Sequence, residues 1–350
     1  MDFLLTREGL FHFRGPESHM NADQGIREFW TWWSEARVGI ARTIDTGLGF
    51  SDALLAEIAA RVSAIGDLDW ELAPGKTAMH AFCLSPRGDA EARVVTEIWK
   101  ARAPQADATW EYFAARQPTE GTTLTIAGAS FRYKDLRVVF EVDRERERID
   151  AEYFHPQFRR LDDDERDTAL YLLLADAFGE DGVERWLGGI DAVVSRPPNS
   201  TGFEKLQAAC RQLANAATGE HFASLESEDD AGFPVLLTVN RAIKRIDHIL
   251  YTVHGALELA ILDQNAAGLT TPEDAAVLND LEDELAAAVG PHAAFLGRET
   301  KRGHRVLHWY MPEDSAAPAI IERWAKVHAD RAPSLELERD PAWEFAERHL

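Results

Sequence analysis

Apolar positions along the first part of the chain recur at helical spacing and then switch to alternation. From Asn21 to Asp45, Phe29, Trp33, Ile40 and Ile44 fall near one helical face, with Ala36 and Arg37 filling the intermediate turn. Trp30 and Trp32 broaden its aromatic end; a ligand cradle is one reading, but a large apolar ring reads first as a core anchor. Ser51 is placed to cap a second helix carrying Ala53, Leu54, Leu55, Ile58 and Val62. Strands are predicted near Leu68–Leu72 and Lys76–Leu84, separated by Pro74-Gly75; in the second, His80, Phe82 and Leu84 alternate with Met79, Ala81 and Cys83, so one face should meet a core. A helix over Asp89–Ala101 and a strand around Trp110–Ala115 follow. Thr122–Ile126 pairs with Ala129–Tyr133 around Gly128, and Leu136–Val142 with Arg148–Phe154 around a charged turn.

Asp162, Asp163 and Asp164 precede one long predicted helix, ERDTALYLLLADAFGEDGVERWL. Three adjacent carboxylates can hold a divalent cation, but no glycine-spaced loop surrounds them, and negative charge is favourable at a helix start. Ser195–Gly202, with two prolines, a glycine and no large apolar residue, reads as a linker. Beyond it, Phe203, Leu206, Cys210 and Leu213 mark a helix. An acidic loop, ESEDDAGFP, leads into the strand PVLLTVNRAI, and His248–His254 reads as a second strand.

The most fully specified helix comes next. Thr271 caps it, Pro272 suits its first position, Asp274 sits where a capping box wants an acid, and Gly290 ends it. Val277, Leu278, Leu281 and Leu285 form its apolar stripe, with Asp280, Glu282, Asp283 and Glu284 outside. Two strands joined by a tight polar loop follow, then a helix with Ile320, Ile321, Trp324 and Val327 turned inward, then a final strand SLELERD. The expected class is α+β: two α/β sandwich modules, the C-terminal one ferredoxin-like. The modules span 21–195 and 220–350, with a linker and connecting helix over 196–219. Residues 1–19 read as an upstream extension ahead of a start at Met20.

The chain has 350 residues and a formal net charge of −23, with −11 in residues 201–350 and −12 before them. Acidity spread over both halves opposes direct binding to nucleic acid or an anionic membrane, and suits solubility, a basic protein partner or mimicry of nucleic acid. Cys83 and Cys210 lie far apart in sequence, which fits a reducing compartment and a cytoplasmic protein. No apolar run reaches the ~20 residues a spanning helix needs.

Within this acidic chain Arg298, Lys301, Arg302, His304 and Arg305 form a basic cluster, with His308 and Tyr310 further along the same strand. Paired arginines can hold a phosphate or carboxylate; a solvated hairpin turn is the plainer alternative. His304 and His308 share a strand face about 13 Å apart, too far for one metal ion. Cys83 and His80 fall on opposite faces of one strand, which argues against a nucleophile–base pair. GxSxG, GxGxxG, HExxH and CxxC patterns and a Walker loop are all absent from the sequence. No metal or cofactor is expected.

FWTWWSEA, the Ala103–Gln117 passage with WEYFAARQP, and LYLLLADAFGEDGVERWLGGID resemble, over about 24–195, the amino-terminal module of uncharacterised bacterial proteins. TVNRAI, GLTTPEDAAVLNDLEDELAAAV and GRETKRGHRVLHWYMPED resemble domain-of-unknown-function family 695 over about 232–315. The resemblance implies no activity. By analogy with the related fold of bacterial ribonuclease E regulators it implies an acidic protein-binding regulator. The leading expectation is a non-catalytic, cytoplasmic protein that binds another protein. The alternative is an enzyme or small-anion-binding protein using Arg298–Arg305 at a cleft between modules.

Overall fold

The computed structural model describes residues 17–47, 49–119, 121, 123–126 and 128–349. Most of the expected upstream extension, positions 1–16, and Thr122 of the first expected hairpin lie outside the described residues. Contacts divide the chain into two compact units, Met1–Glu141 with Asp150–Ala208, and Val142–Ile149 with Ala209–Leu350.

The first part of the chain forms α1 (Glu17–Thr46), α2 (Asp52–Ser63), β1 (Asp69–Pro74), β2 (His80–Ser85), α3 (Ala90–Ala101) and β3 (Trp110–Phe113). Strands β1, β2 and β3 make a sheet, antiparallel between the first two and parallel between the last two. Ser51 caps α2 by accepting from the Leu54 N–H. Phe29, Trp33, Ile40, Ile58, Val62, Phe82, Leu84, Trp99 and Trp110 form one buried cluster. Trp33 lies edge-on to Phe82 and Trp110 at 4.9 Å and donates from Nε1 to the Tyr112 hydroxyl at 2.9 Å. Such ring pairs contribute roughly 0.5–1.5 kcal/mol each beyond area burial. The tryptophans are core, not a cradle. Strand β2 meets a core on the expected face, through Phe82 and Leu84, and is buried on the other as well, where the Cys83 thiol donates to the Ala115 carbonyl at 3.0 Å.

Next come β4 (Leu124–Ile126), β5 (Ala129–Phe131), β6 (Arg137–Asp143), β7 (Arg148–Phe154), α4 (Asp163–Phe178), α5 (Glu180–Trp186), β8 (Leu187–Val193), β9 (Thr201–Gly202) and α6 (Phe203–Ala216). Strands β4 and β5 pair antiparallel, and a second sheet runs β8-β7-β6-β9. Asp162 and Glu165 make a reciprocal capping box on α4, so the acidic run starts a helix. The single long helix expected here is broken. Gly179 sits at φ 73°, its backbone N–H caps α4 on the Ala175 carbonyl, and the chain restarts as α5 and then β8.

In the second unit, β10 (Phe222–Glu228), β11 (Pro234–Asn240), β12 (Val253–Ala260), α7 (Pro272–Val289), β13 (Ala294–Lys301), β14 (His304–Met311), α8 (Ala317–Val327), β15 (Ser334–Arg339) and the short α9 (Glu344–Glu347) follow in order. Six strands form one antiparallel sheet, β10-β11-β13-β14-β12-β15. Leu278, Leu285 and Val289 of α7 and Ala317, Ile321 and Trp324 of α8 cover one sheet face, meeting Leu257, Leu259, Leu307, Trp309 and Met311. Val327 departs from its expected inward place: it ends α8 and is 77% exposed. Val277 is likewise exposed, since Leu278 takes the buried position.

Two strand expectations also shift. Strand β10 begins at Phe222 and takes in the first three residues of the expected acidic loop; sequence alternation reads it poorly because neither face is deeply buried. The strand expected from His248 begins at Val253. Ahead of it, Lys244 is buried and donates from Nζ to the Arg146 and Glu147 carbonyls, and Arg245–Asp247 makes a 3-10 turn.

Candidate functional site

Hairpin β13–β14 carries every candidate residue. Its loop is two residues, Arg302 and Gly303, at φ 46° and 81°. Positive φ at both positions is the turn geometry whose twist matches antiparallel strands, and glycine meets it without strain. From this turn the side chains separate to the two faces of the sheet.

Arg298 and Arg305 point to the helix face. The Arg298 guanidinium donates to both Glu282 carboxylate oxygens, at 3.1 and 3.0 Å. Arg305 is buried, donates to the Asn279 side-chain oxygen at 2.8 Å, and lies 3.9 Å from Glu282. Burial, and then the Arg298 charge, lower its pKa to about 10. Asp274 and Arg331 form a second buried ion pair at 2.7 Å on this side. Glu282 thus lies against both hairpin arginines and offsets part of their charge.

Lys301, Arg302 and His304 do not join that group. Lys301 pairs with Glu299, and His304 Nδ1 lies 3.1 Å from a Glu258 oxygen. Arg302 donates from Nε to Asp229 and lies over the Phe233 ring at 4.9 Å. This hydrogen bond, helped by the backbone N–H groups of Phe233 and Ala231, holds Asp229 down at about 2. The three face separate acidic partners, so the basic residues do not converge on one anion.

His308 and Tyr310 are buried, at 5% and 0% exposure. The reason is the end of the chain. Trp343 stacks on Tyr310 at 4.0 Å, and Phe345 lies against His308 at 4.5 Å and stacks on His254 at 4.2 Å. The Tyr310 hydroxyl donates to Asp340 at 2.6 Å and accepts from the Ala346 N–H at 3.3 Å. Burial and the Asp340 hydrogen bond raise its pKa. His254 Nε2 and His308 Nδ1 lie 3.2 Å apart, and burial lowers the two imidazoles to about 4 and about 3. Both are therefore neutral at pH 7. Asp340, Trp343 and Phe345, which make this cover, carry no sequence signal of their own.

In the first unit, Cys83 and His80 are separate: the thiol donates to Ala115, while His80 Nε2 lies 3.1 Å from Asp45. Burial, then the Glu71 and Glu180 charges, push the Cys83 thiol well up, away from a nucleophile. Glu180, also buried, accepts from the Ser85 hydroxyl at 2.5 Å, the Arg116 N–H at 2.7 Å and the Tyr171 hydroxyl at 3.4 Å. Those bonds tie the start of α5 to the end of β2. Among the described residues, no three His, Cys, Asp or Glu side chains are grouped to hold a metal ion, and no helix is long and apolar enough to cross a membrane.

Comparison with known proteins adds no relative: no family model, curated protein or solved structure matches the chain.

Proposed function

We propose that this is a cytoplasmic, two-module protein that works by binding another protein with a basic surface, as a regulator without catalysis. The observation that carries the reading is the pairing of the cationic hairpin. Arg298, Lys301, Arg302 and Arg305 each lie against an acidic side chain, in a chain of net charge −23. Cations so occupied are poor anion ligands, while the remaining carboxylates set a negative field that attracts a basic surface. The same field opposes nucleic acid and anionic lipid.

The ferredoxin-like reading of the second unit is part of this proposal. The order β12-α7-β13-β14-α8-β15 and the sheet order β13-β14-β12-β15 support it, with β10 and β11 added beyond β13. Kinship with domain-of-unknown-function family 695 enters on the quoted motifs alone.

The test is affinity capture with the full chain at low salt, followed by purification of the captured protein and crosslinking mass spectrometry on the pair. A specific basic partner whose affinity falls as ionic strength rises is the expected result. A partner that is acidic or insensitive to salt, or no specific partner at all, sinks the reading.

A further inference from the structure

Strand β10 ends the six-stranded sheet and, among the described residues, pairs on one side only, with β11. All seven of its residues keep an uninterrupted antiparallel register, from Phe222 opposite Asn240 to Glu228 opposite Pro234. Every residue except half-buried Ala223 is exposed. Soluble proteins blunt such an edge with charged side chains, lysine above all, with proline, a bulge or a covering segment, because its free N–H and C=O groups can pair with another chain. The only charges on β10 are Glu226 and Glu228, which repel acidic strands and leave the edge open to a basic one. This strand has no lysine, no proline and no bulge.

Its two faces differ. Phe222, Ser224, Glu226 and Glu228 point to the side of α7, as the Phe222 ring 6.1 Å from Phe295 indicates. Ala223, Leu225 and Ser227 point the other way, beside Val239, Leu237 and Val235. Exposed Leu225 thus extends an apolar row that continues into the buried Leu237 and Val239. From Gln212 to Asn240 the chain has five acidic residues and neither lysine nor arginine. Of the nearby cations, Arg302 is held by Asp229 and Arg298 by Glu282, so neither is paired with Glu226 or Glu228.

We infer that the β10 edge is a docking strand for an extended segment of a basic partner, one that alternates basic with apolar residues. Backbone pairing adds a seventh strand; the basic side chains face Glu226 and Glu228, and the apolar ones extend the Leu225 row. Charge favours this occupant over a second copy of the chain: parallel β10 strands would set each glutamate opposite its copy, and antiparallel ones would set the two Glu226 side chains diagonally together without a cation between them. The opposite edge, β15, also alternates leucine with Glu336 and Glu338 but ends on Arg339, which Glu313 holds at 2.9 Å, and it serves as the control edge. This inference rests on the protein-binding reading above and names where that binding occurs.

The test uses the full chain and an end-capped octapeptide alternating lysine and valine. Two further peptides carry N-methyl groups on all lysine amides or on all valine amides, which removes the N–H donors of one edge or the other while keeping the charge. Binding of the parent peptide is expected, with amide shifts confined to residues 222–228 and their β11 partners. At least one methylated peptide should bind about tenfold or more weakly, the scale of one or two lost hydrogen bonds. E226K/E228K should weaken the parent peptide by a similar factor, whereas E336K/E338K on β15 should not. Thermal melts matching the native chain guard against misfolding, and the methylated peptides test the native chain in any case. Affinity unmoved by methylation and by E226K/E228K overturns the docking strand. If the purified natural partner still binds E226K/E228K normally, protein binding stands and only its location is wrong. If neither peptide nor partner binds the native chain, both readings fall.

Discussion

The two faces of the six-stranded sheet are covered by different kinds of structure. On one, α7 and α8 lay apolar stripes across Leu257, Leu307, Trp309 and Met311. On the other, an irregular turn at Tyr251 and the chain end, Trp343 with Phe345 and Ala346 of the short α9, lie over Val239, Leu296 and Tyr310. The first is held by an aliphatic stripe packed on Trp309 and Trp324, with the Arg298–Glu282 and Asp274–Arg331 pairs beside it. The second is held by stacked rings and polar bonds, with Trp343 Nε1 donating to the Tyr251 carbonyl at 2.8 Å. A polar residue on a strand is therefore no guide to solvent when a distant segment supplies both an aromatic ring and a hydrogen-bond partner. The sharpest way to break the comparison is to remove one anchor from each side. Trp343→Ala should cost about 3–5 kcal/mol and Leu285→Ala about 2–5 kcal/mol in guanidinium unfolding, as buried anchors do. If Trp343→Ala costs under about 1 kcal/mol, the irregular cover is peripheral and the two faces are not equivalent parts of the core.

The faces should also respond differently to acid. His254 and His308 sit only on the aromatic face, among Asp340, Arg348, His349 and Lys301, with burial the largest influence on each. Their folded pKa values, about 4 and about 3, lie below the unfolded value of 6.5, so the unfolded chain takes up protons first. Their contribution is complete above pH 6.5 and is lost as pH falls toward 4 and 3, with a slope of up to about 1.4 kcal/mol per pH unit for each. Urea midpoints of the native chain should drop between pH 7 and 4.5, and H254F/H308F should flatten that drop. An unchanged slope in the double variant would assign the acid sensitivity to other groups, first among them His155, His248 and His349, which burial also lowers.

The same contrast separates what was legible in the sequence from what was not. Thr271, Pro272 and the Leu278–Leu285 stripe specify α7, because caps and a 3.6-residue period are local properties. Phe29 and Trp33 were readable as core for the same reason. Strand β10 was missed: pairing to one neighbour leaves it exposed on both faces and erases alternation. Gly179 was read through, since one glycine inside an apolar period gives weak warning of a break. At the candidate site the hairpin and its turn were legible and the cover over His308 and Tyr310 was not. Asp340, Trp343 and Phe345 come from 30 or more positions beyond Tyr310 and lack a period of their own. Likewise, the basic cluster in sequence gave no sign that Glu282 and Asp229 would divide it.

Two substitutions sharpen the division within the hairpin. Glu282→Ala leaves Arg298 and buried Arg305 without their shared carboxylate, and should cost about 1–3 kcal/mol in urea unfolding, the cost of an unsatisfied buried donor. A neutral outcome would mean that water replaces Glu282 fully. Arg302→Asn acts at the exposed end. Asparagine tolerates the positive φ that Arg302 adopts at 46°, so the two-residue turn should persist. What changes is Asp229. Its carboxyl is held at about 2 first by Arg302 and then by two backbone N–H groups, so the substitution should raise it toward the ordinary value of 3.8. Any stability it lends is present above that ordinary value and fades as pH falls toward 2. Carboxyl-carbon NMR titration of both proteins reads the shift directly. If Asp229 still titrates near 2 without the arginine, the Phe233 and Ala231 N–H groups hold it, and Arg302 is left free to meet a ligand.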